Sequence, residues 1–228
     1  MSPLTALYQT LFPATCAACG EVLASGERQL CLDCLASLHE TRDSRVPDNG
    51  AERQLAGCMP FEAAMSLFRF RKENTTQAVV HAMKFHGNSD LCLMMGRQMG
   101  LELLGSGRFD DVDVLIPLPL HWIRRLHRGY NQSELLCRGI AEVLPRPVVS
   151  GAVVRHRYTK KQSLQTGDHR SANVEGAFSM KRPEWLEGKH VLLVDDVLTT
   201  GATLAACANA LHTVPGLRLS VATFCIAR

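Results

Sequence analysis

The stretch from Val191 to Thr203 constrains the fold more than any other part of this chain. Four apolar residues of strand type, Val191 to Val194, run into the adjacent carboxylates Asp195 and Asp196. Thr199, Thr200, Gly201, Ala202 and Thr203 follow, and the alanine-rich run Leu204 to Leu211 then reads as a helix. The pattern is strand, tight turn, helix start. A helix start leaves backbone N–H groups unpaired and carries the positive end of the dipole, so a glycine turn at Gly201 lets several N–H groups converge on one anion. The threonine hydroxyls add donors, and a phosphate fits there without a cationic side chain. Two carboxylates directly before an anion site make sense when a metal ion or sugar hydroxyls separate them from the phosphate, because carboxylates accept from a cis-diol and ligate Mg2+. A phosphorylated ribose satisfies both halves. The bland alternative is an ordinary buried strand with polar residues at its exposed end.

The order of residues resembles the phosphoribosyl pyrophosphate (PRPP) signature of type I phosphoribosyltransferases, which runs four hydrophobics, two acidics, a hydrophobic, any residue, two hydroxyl residues, glycine, a small residue and a hydroxyl residue. Every position from Val191 to Thr203 fits. The chain has no GxGxxG and no GxxxxGK[ST] loop.

At 228 residues the chain is long enough for one α/β domain and a small appendage. The net charge of +3 does not mark a strongly basic nucleic-acid binder, yet residues 121–170 carry 10 Lys and Arg against 3 Asp and Glu. That basic middle suits an anionic substrate or a nucleic-acid backbone, or is a solvated face. No apolar run approaches the roughly 18 residues that span a membrane. Met1 to Phe12 contains no Lys or Arg, so a secretory signal is not supported, and the expectation is a soluble, cytoplasmic protein with no membrane insertion.

Nine cysteines divide into two groups. Cys58, Cys92, Cys137, Cys207 and Cys225 sit in or beside apolar stretches, as reduced buried thiols do. Cys16 and Cys19 form one CxxC pair, and Cys31 and Cys34 form another after an eleven-residue gap. Two such knuckles supply the tetrahedral thiolate set that Zn2+ prefers, and four thiolates leave no open position, so the site is structural. Chance pairs or a redox CxxC are the alternatives.

In chain order, Leu4, Leu7, Tyr8 and Leu11 have helical spacing. Residues 1–45 read as a small N-terminal four-cysteine element of the double zinc ribbon-like kind. Thr41 to Gly57 is polar with a turn signal at Pro47 to Gly50, and reads as the boundary before a second domain, 58–228. Within it, Met65 to Phe70 reads as a strand, and Gln77 to Phe85 and Leu91 to Leu104 as helices. Lys84 and His86 close the first helix. Lys84 reads as a partner for the dipole and last carbonyls, with a phosphate contact as the alternative. Val112 to Leu120 reads as a buried strand that must turn at Pro117 and Pro119. The basic, aromatic segment His121 to Gln132 reads as a loop, Ser133 to Val143 as a helix and Val148 to Val154 as a strand. Arg155 to Arg170 is long, basic and aperiodic, as lids over anionic ligands are, or as surface loops are. Leu217 to Ile226 is the last strand.

Taken together these residues resemble the ComF/GntX family of phosphoribosyltransferase-like proteins, named for competence and DNA utilisation. The resemblance rests on the four cysteines, Lys84-Phe85, Pro117-Leu118-Pro119, Arg128-Gly129-Tyr130-Asn131-Gln132, the segment holding Arg157, Gln162, Ser163, Leu164, Arg170 and Asn173, Gly176-Ala177-Phe178, and the 191–203 loop. It implies an α/β, type I phosphoribosyltransferase fold, a parallel Rossmann-like sheet flanked by helices, preceded by a zinc ribbon-like element. It also implies a part in using external DNA, as nutrient or for transformation. As an enzyme, the chain would bind the 5′-phosphate of PRPP on Thr199, Thr200, Gly201, Ala202 and Thr203 and its diol at Asp195 and Asp196. The pyrophosphate would lie on the loop at Leu118 and Pro119, with Mg2+ bridging. A nucleobase or other nitrogen nucleophile would attack the anomeric carbon. Asp196 or Asp195 would stabilise the oxocarbenium-like charge, and Arg157 or Lys161 the leaving group. As a binding protein, the same fold would sense a ligand while the ribbon and the Arg124, Arg125, Arg128 region meet single-stranded DNA or a DNA-processing protein. Only Trp122, Tyr130 and Tyr158 supply aromatic rings in the basic middle.

Overall fold

The computed structural model describes residues 13–72, 74–85, 87–156 and 176–227. The expected helix at Leu4 to Leu11, His86, and the basic segment with Arg157 and Lys161 lie outside them.

The strands are β1 (Ala64–Phe70), β2 (Val114–Pro117), β3 (Val153–Arg155), β4 (Phe178–Met180), β5 (His190–Leu198) and β6 (Arg218–Ala227). Four of them form one parallel sheet in the order β1-β6-β5-β2, while β3 and β4 make a separate antiparallel pair. The helices are α1 (Leu32–Ala36), α2 (Gly50–Leu55), α3 (Thr75–Phe85), α4 (Ser89–Leu104), α5 (Trp122–Arg128), α6 (Gln132–Val143) and α7 (Ala202–Leu211). A parallel sheet covered on both faces explains the near-continuous apolar runs of β5 and β6. Leu192 and Val194 belong to the core beneath α3, α4 and α6, and Val191 and Leu193 to the core beneath α2 and α7.

Helices α4 and α6 cross so closely that a Cβ at Gly96 or Gly139 would run into the facing backbone. Only glycine permits this approach, which seats the first turn of α6 beside the end of β5.

Four readings change. The segment 41–57 is built rather than looped: a 3-10 turn, Asp43–Arg45, leads into α2, capped by Asn49 and Glu52 in a reciprocal box. Asn49 is buried, and its amide nitrogen donates to the carbonyls of Asp43 and Ala64, both at 2.8 Å. The polar composition that suggests a linker is that of buried capping groups. The segment after Leu120 is mostly the helix α5. Its His121 cap accepts from the Ile123 N–H at 3.3 Å and donates from the other ring nitrogen to the His156 carbonyl at 3.2 Å. Of the strand expected over 148–154, Val148 makes only a single parallel bridge with Leu115, and the chain turns before β3. The strand expected from Val112 is paired only over Val114–Pro117.

Candidate functional site

Strand β5 continues through the acidic pair, with Asp195 in register with Thr223 of β6. The carboxylates are therefore held by the ladder itself. Asp195 accepts from the Ser133 hydroxyl at 3.0 Å, and Asp196, 8% exposed, pairs with the Lys84 ammonium at 2.9 Å. Lys84 thus leaves the helix end to neutralise Asp196, a role its position in the sequence does not announce. Burial and the charge of Asp196 raise Asp195 to about 7, against the opposing pull of Lys84 and Ser133.

Gly201 has φ of 79° and caps α7 in the left-handed region. A Cβ there would also lie 2.9 Å from the terminal methyl of Leu55 of α2, which would have to shift, but it is the left-handed backbone that calls for glycine. The amide of Gln54 donates to the Thr199 carbonyl at 2.6 Å, so α2 fixes the loop from below. The Ala202 N–H reaches the Thr200 hydroxyl at 3.4 Å.

On the other side of β5 the Arg128-Gly129-Tyr130-Asn131-Gln132 segment turns α5 into α6. Gly129, at φ of 80°, ends α5. The Tyr130 hydroxyl donates to the Met83 carbonyl at 2.8 Å, Asn131 caps α6 and donates to the Leu118 carbonyl at 3.0 Å, and Arg128 donates to the Gln132 carbonyl oxygen at 2.8 Å. The segment therefore ties α3, the loop after β2 and the start of α6 together.

These elements enclose a cavity of about 150 Å³. Asp195, Asp196, Thr203, Leu118 and Pro119 line it, as do Lys84, Arg124, Arg128 and Arg155. Thr199, Thr200, Gly201 and Ala202 form the adjoining turn, and Arg157 and Lys161 are outside the described residues. Burial holds Arg128 and Arg155 below the usual guanidinium range, though the nearby carboxylates oppose it. Cations withdrawn from water beside two acids suit a ligand that carries both anionic groups and a metal or hydroxyls. Lys84 and Arg128 stand in the sequence motifs but not among the expected site residues. Gln132 closes the Arg128–Gln132 motif and Arg155 opens the basic segment, but neither carries an expected site role, and Ser133 gives no signal in a single sequence beyond lying at a helix start.

At the other end of the molecule the sulfurs of Cys16, Cys19, Cys31 and Cys34 lie within 4.8 Å of one another, with Cys19 and Cys31 at 3.8 Å. A tetrahedral zinc site with bonds of about 2.3 Å has sulfur separations of about 3.8 Å, so the donor set fits. Backbone N–H groups of Cys31 and Cys34 point at the sulfurs of Cys16 and Cys31 at 3.3 and 3.4 Å. Burial works to raise the Cys16 thiol, but backbone N–H groups of Cys19, Cys31 and Ala18 outweigh it, and it falls to about 6. Grooves of about 620 and 730 Å³ flank this element, and neither borders Asp195 or Asp196.

The phosphoribosyl transferase domain family matches residues 131–228, from the cap of α6 to the chain end. With the parallel sheet and the acidic loop, this defines a phosphoribosyltransferase-type α/β domain. The chain is 35% identical over 136 residues to the DNA utilization protein YhgH of Shigella flexneri, covering 58% of this chain and 59% of that protein. It is 37% identical over 115 residues to competence protein ComFC of Bacillus subtilis, covering 50% and 44%. The match thus spans less than two thirds of either relative's own length. A solved adenine phosphoribosyltransferase is 16% identical, covering 62% of this chain and 73% of that one at a TM-score of 0.39. The domain match and the named relatives support a resemblance to the ComF family.

Proposed function

We propose that the chain binds PRPP, or another phosphorylated ribose, with Mg2+ at the 195–203 site, in a protein that serves the use of external DNA. The observation that carries this is one cavity lined by the Asp195–Asp196 pair and half-buried cations, with the Gly201 helix start adjoining it through Thr203. The N–H groups at the start of α7 and the hydroxyls of Thr199, Thr200 and Thr203 take the 5′-phosphate. Asp195 and Asp196 take the diol and hold the magnesium ion, which when bound neutralises pyrophosphate charge. Leu118 and Pro119, on the loop fixed by Asn131, face the pyrophosphate. If a nucleobase or other nitrogen nucleophile is then transferred, Asp196 is placed to stabilise positive charge at the anomeric carbon, and Arg157 and Lys161 are the leaving-group candidates. Zn2+ on Cys16, Cys19, Cys31 and Cys34 is structural.

Calorimetry with PRPP and Mg2+ tests the reading. The native chain is expected to bind, and an Asp195→Asn/Asp196→Asn variant is not. No binding by the native chain overturns it.

The second reading is a non-enzymatic factor for single-stranded DNA or a DNA-processing partner. It is favoured by α5, none of whose residues is buried, where Trp122 is 66% exposed beside Arg124 and Arg125. Unchanged DNA affinity at low salt in an Arg124/Arg125/Arg128 triple alanine variant removes it.

A further inference from the structure

Gln132 is 2% exposed and lines the cavity of the acidic pair. Arg128 has only donors, so the Gln132 atom at 2.8 Å from its guanidinium must be the carbonyl oxygen, which fixes the amide nitrogen on the other side. Among the described residues that nitrogen has no hydrogen-bond partner. A buried donor, oriented by a charged neighbour and left unpaired on a residue that lines the cavity, is available to a ligand that enters it.

On the reading proposed above, we infer that Gln132 is a specificity-determining ligand contact whose amide nitrogen donates to a non-bridging oxygen of the pyrophosphate group. The adjacent Asn131 donates to the Leu118 carbonyl, so Gln132 follows directly on the residue that fixes the loop after β2, and that loop lines the same cavity wall as its Arg128 partner. Arg128, which orients the amide, brings its own charge to the same wall, and Arg124 lines it too. The polar atoms nearest the diol are the acceptors Asp195 and Asp196, which suit hydroxyl donors. A lone amide donor suits a ligand oxygen that carries no proton.

The test titrates native chain, Gln132→Glu and Gln132→Met with inorganic pyrophosphate, PRPP and ribose 5-phosphate, each with Mg2+, and records the melting temperature of each protein. Glutamate keeps an acceptor for Arg128 and replaces the donor by an anionic oxygen, whereas methionine removes both polar atoms at similar volume. Both variants are expected to lose tenfold or more in affinity for pyrophosphate and PRPP, glutamate more than methionine. Ribose 5-phosphate should stay within twofold, and the methionine variant should melt no lower than the native chain. Unchanged pyrophosphate and PRPP affinities overturn the inference while the phosphoribosyl reading stands. Parallel loss of ribose 5-phosphate with a lowered melting temperature also overturns it, in favour of a packing role. A native chain that binds pyrophosphate but neither sugar phosphate overturns the parent reading, and the variants' loss of pyrophosphate then upholds Gln132 alone. A native chain that binds none of the three overturns both.

Discussion

Strand β5 carries an acid-rich polar cluster at each end, and the two clusters have opposite characters. At its start His190 is 1% exposed, with one ring nitrogen 3.0 Å from Asp111, the other 2.9 Å from the Ser220 hydroxyl, and its backbone N–H donating to Asp113 at 2.8 Å. Arg218 closes the group on Asp111 at 2.7 Å, and this hydrogen bond holds the Asp111 carboxyl below its usual range. Acid, imidazole and serine stand in the order of a catalytic relay, yet Ser220 is fully buried and both ring nitrogens are matched. At the far end Asp195 is raised to about 7, Asp196 leans on one lysine, and Gln132 has a donor to spare. Residue chemistry alone does not separate the two ends. Access and unfinished hydrogen bonding do, and they are why the proposed function is placed at the C-terminal ends of the strands.

The sharpest way to break this contrast is at the closed end. Replacing His190 by alanine strands the buried Ser220 hydroxyl, takes the imidazole from the exposed Asp111 and leaves a hole in the core, and should cost about 3 kcal/mol in urea unfolding, while PRPP affinity stays within twofold. A comparable loss of affinity would erase the distinction between the ends. Lys84→Met leaves Asp196 unpaired and should cost about 2 kcal/mol, and here ligand affinity should fall as well, read by calorimetry.

Asp195→Asn should act in the opposite sense, stabilising the ligand-free chain by about 1 to 2 kcal/mol at pH 8. An unfolded aspartate titrates near about 3.9, so between about pH 4 and 7 the folded chain holds a proton that the unfolded chain has released. The native protein therefore loses stability as pH rises through that window, and the asparagine variant should lose this slope. A variant whose urea midpoint follows the native pH dependence would refute the assignment. On the proposed function, which uses the Asp195 carboxylate, PRPP affinity should weaken as pH drops below 7. The smallest effect is expected for Ser133→Ala, about 1 kcal/mol, with Asp195 titrating still higher.

Much of this contrast is legible in the sequence, though unevenly. Strand β5, the Gly201 turn and α7 are local, and their order alone announces an anion site. The cysteine spacing likewise predicts a cluster whose sulfurs converge. What is hidden is whatever depends on distant packing. Lys84 looks like an ordinary helix terminator until the fold carries α3 alongside Asp196. The polar run 41–57 looks like a linker because burial of Asp43, Asn49 and Glu52 cannot be seen without their partners, among them Arg108 at 2.6 Å from Glu52. Helix α5 is masked by its arginines and by the two prolines before it.

The four-cysteine element does not stand apart from the sheet. Cys16, Leu30 and Leu38 sit in one core with α3 and α4, and the chain at 39–41 pairs along the free edge of β1, where the Thr41 N–H donates to Leu67 and the Arg69 N–H to His39. A metal on those thiolates would bind the folded chain in preference to the unfolded one, so its free concentration would set the melting temperature of the molecule as a whole, logarithmically and without touching the Gly201 turn. Helix α3, which carries Lys84 in its last turn, is the girder that carries this load, and metal starvation would be felt at Asp196 as a softening of its counter-ion's footing.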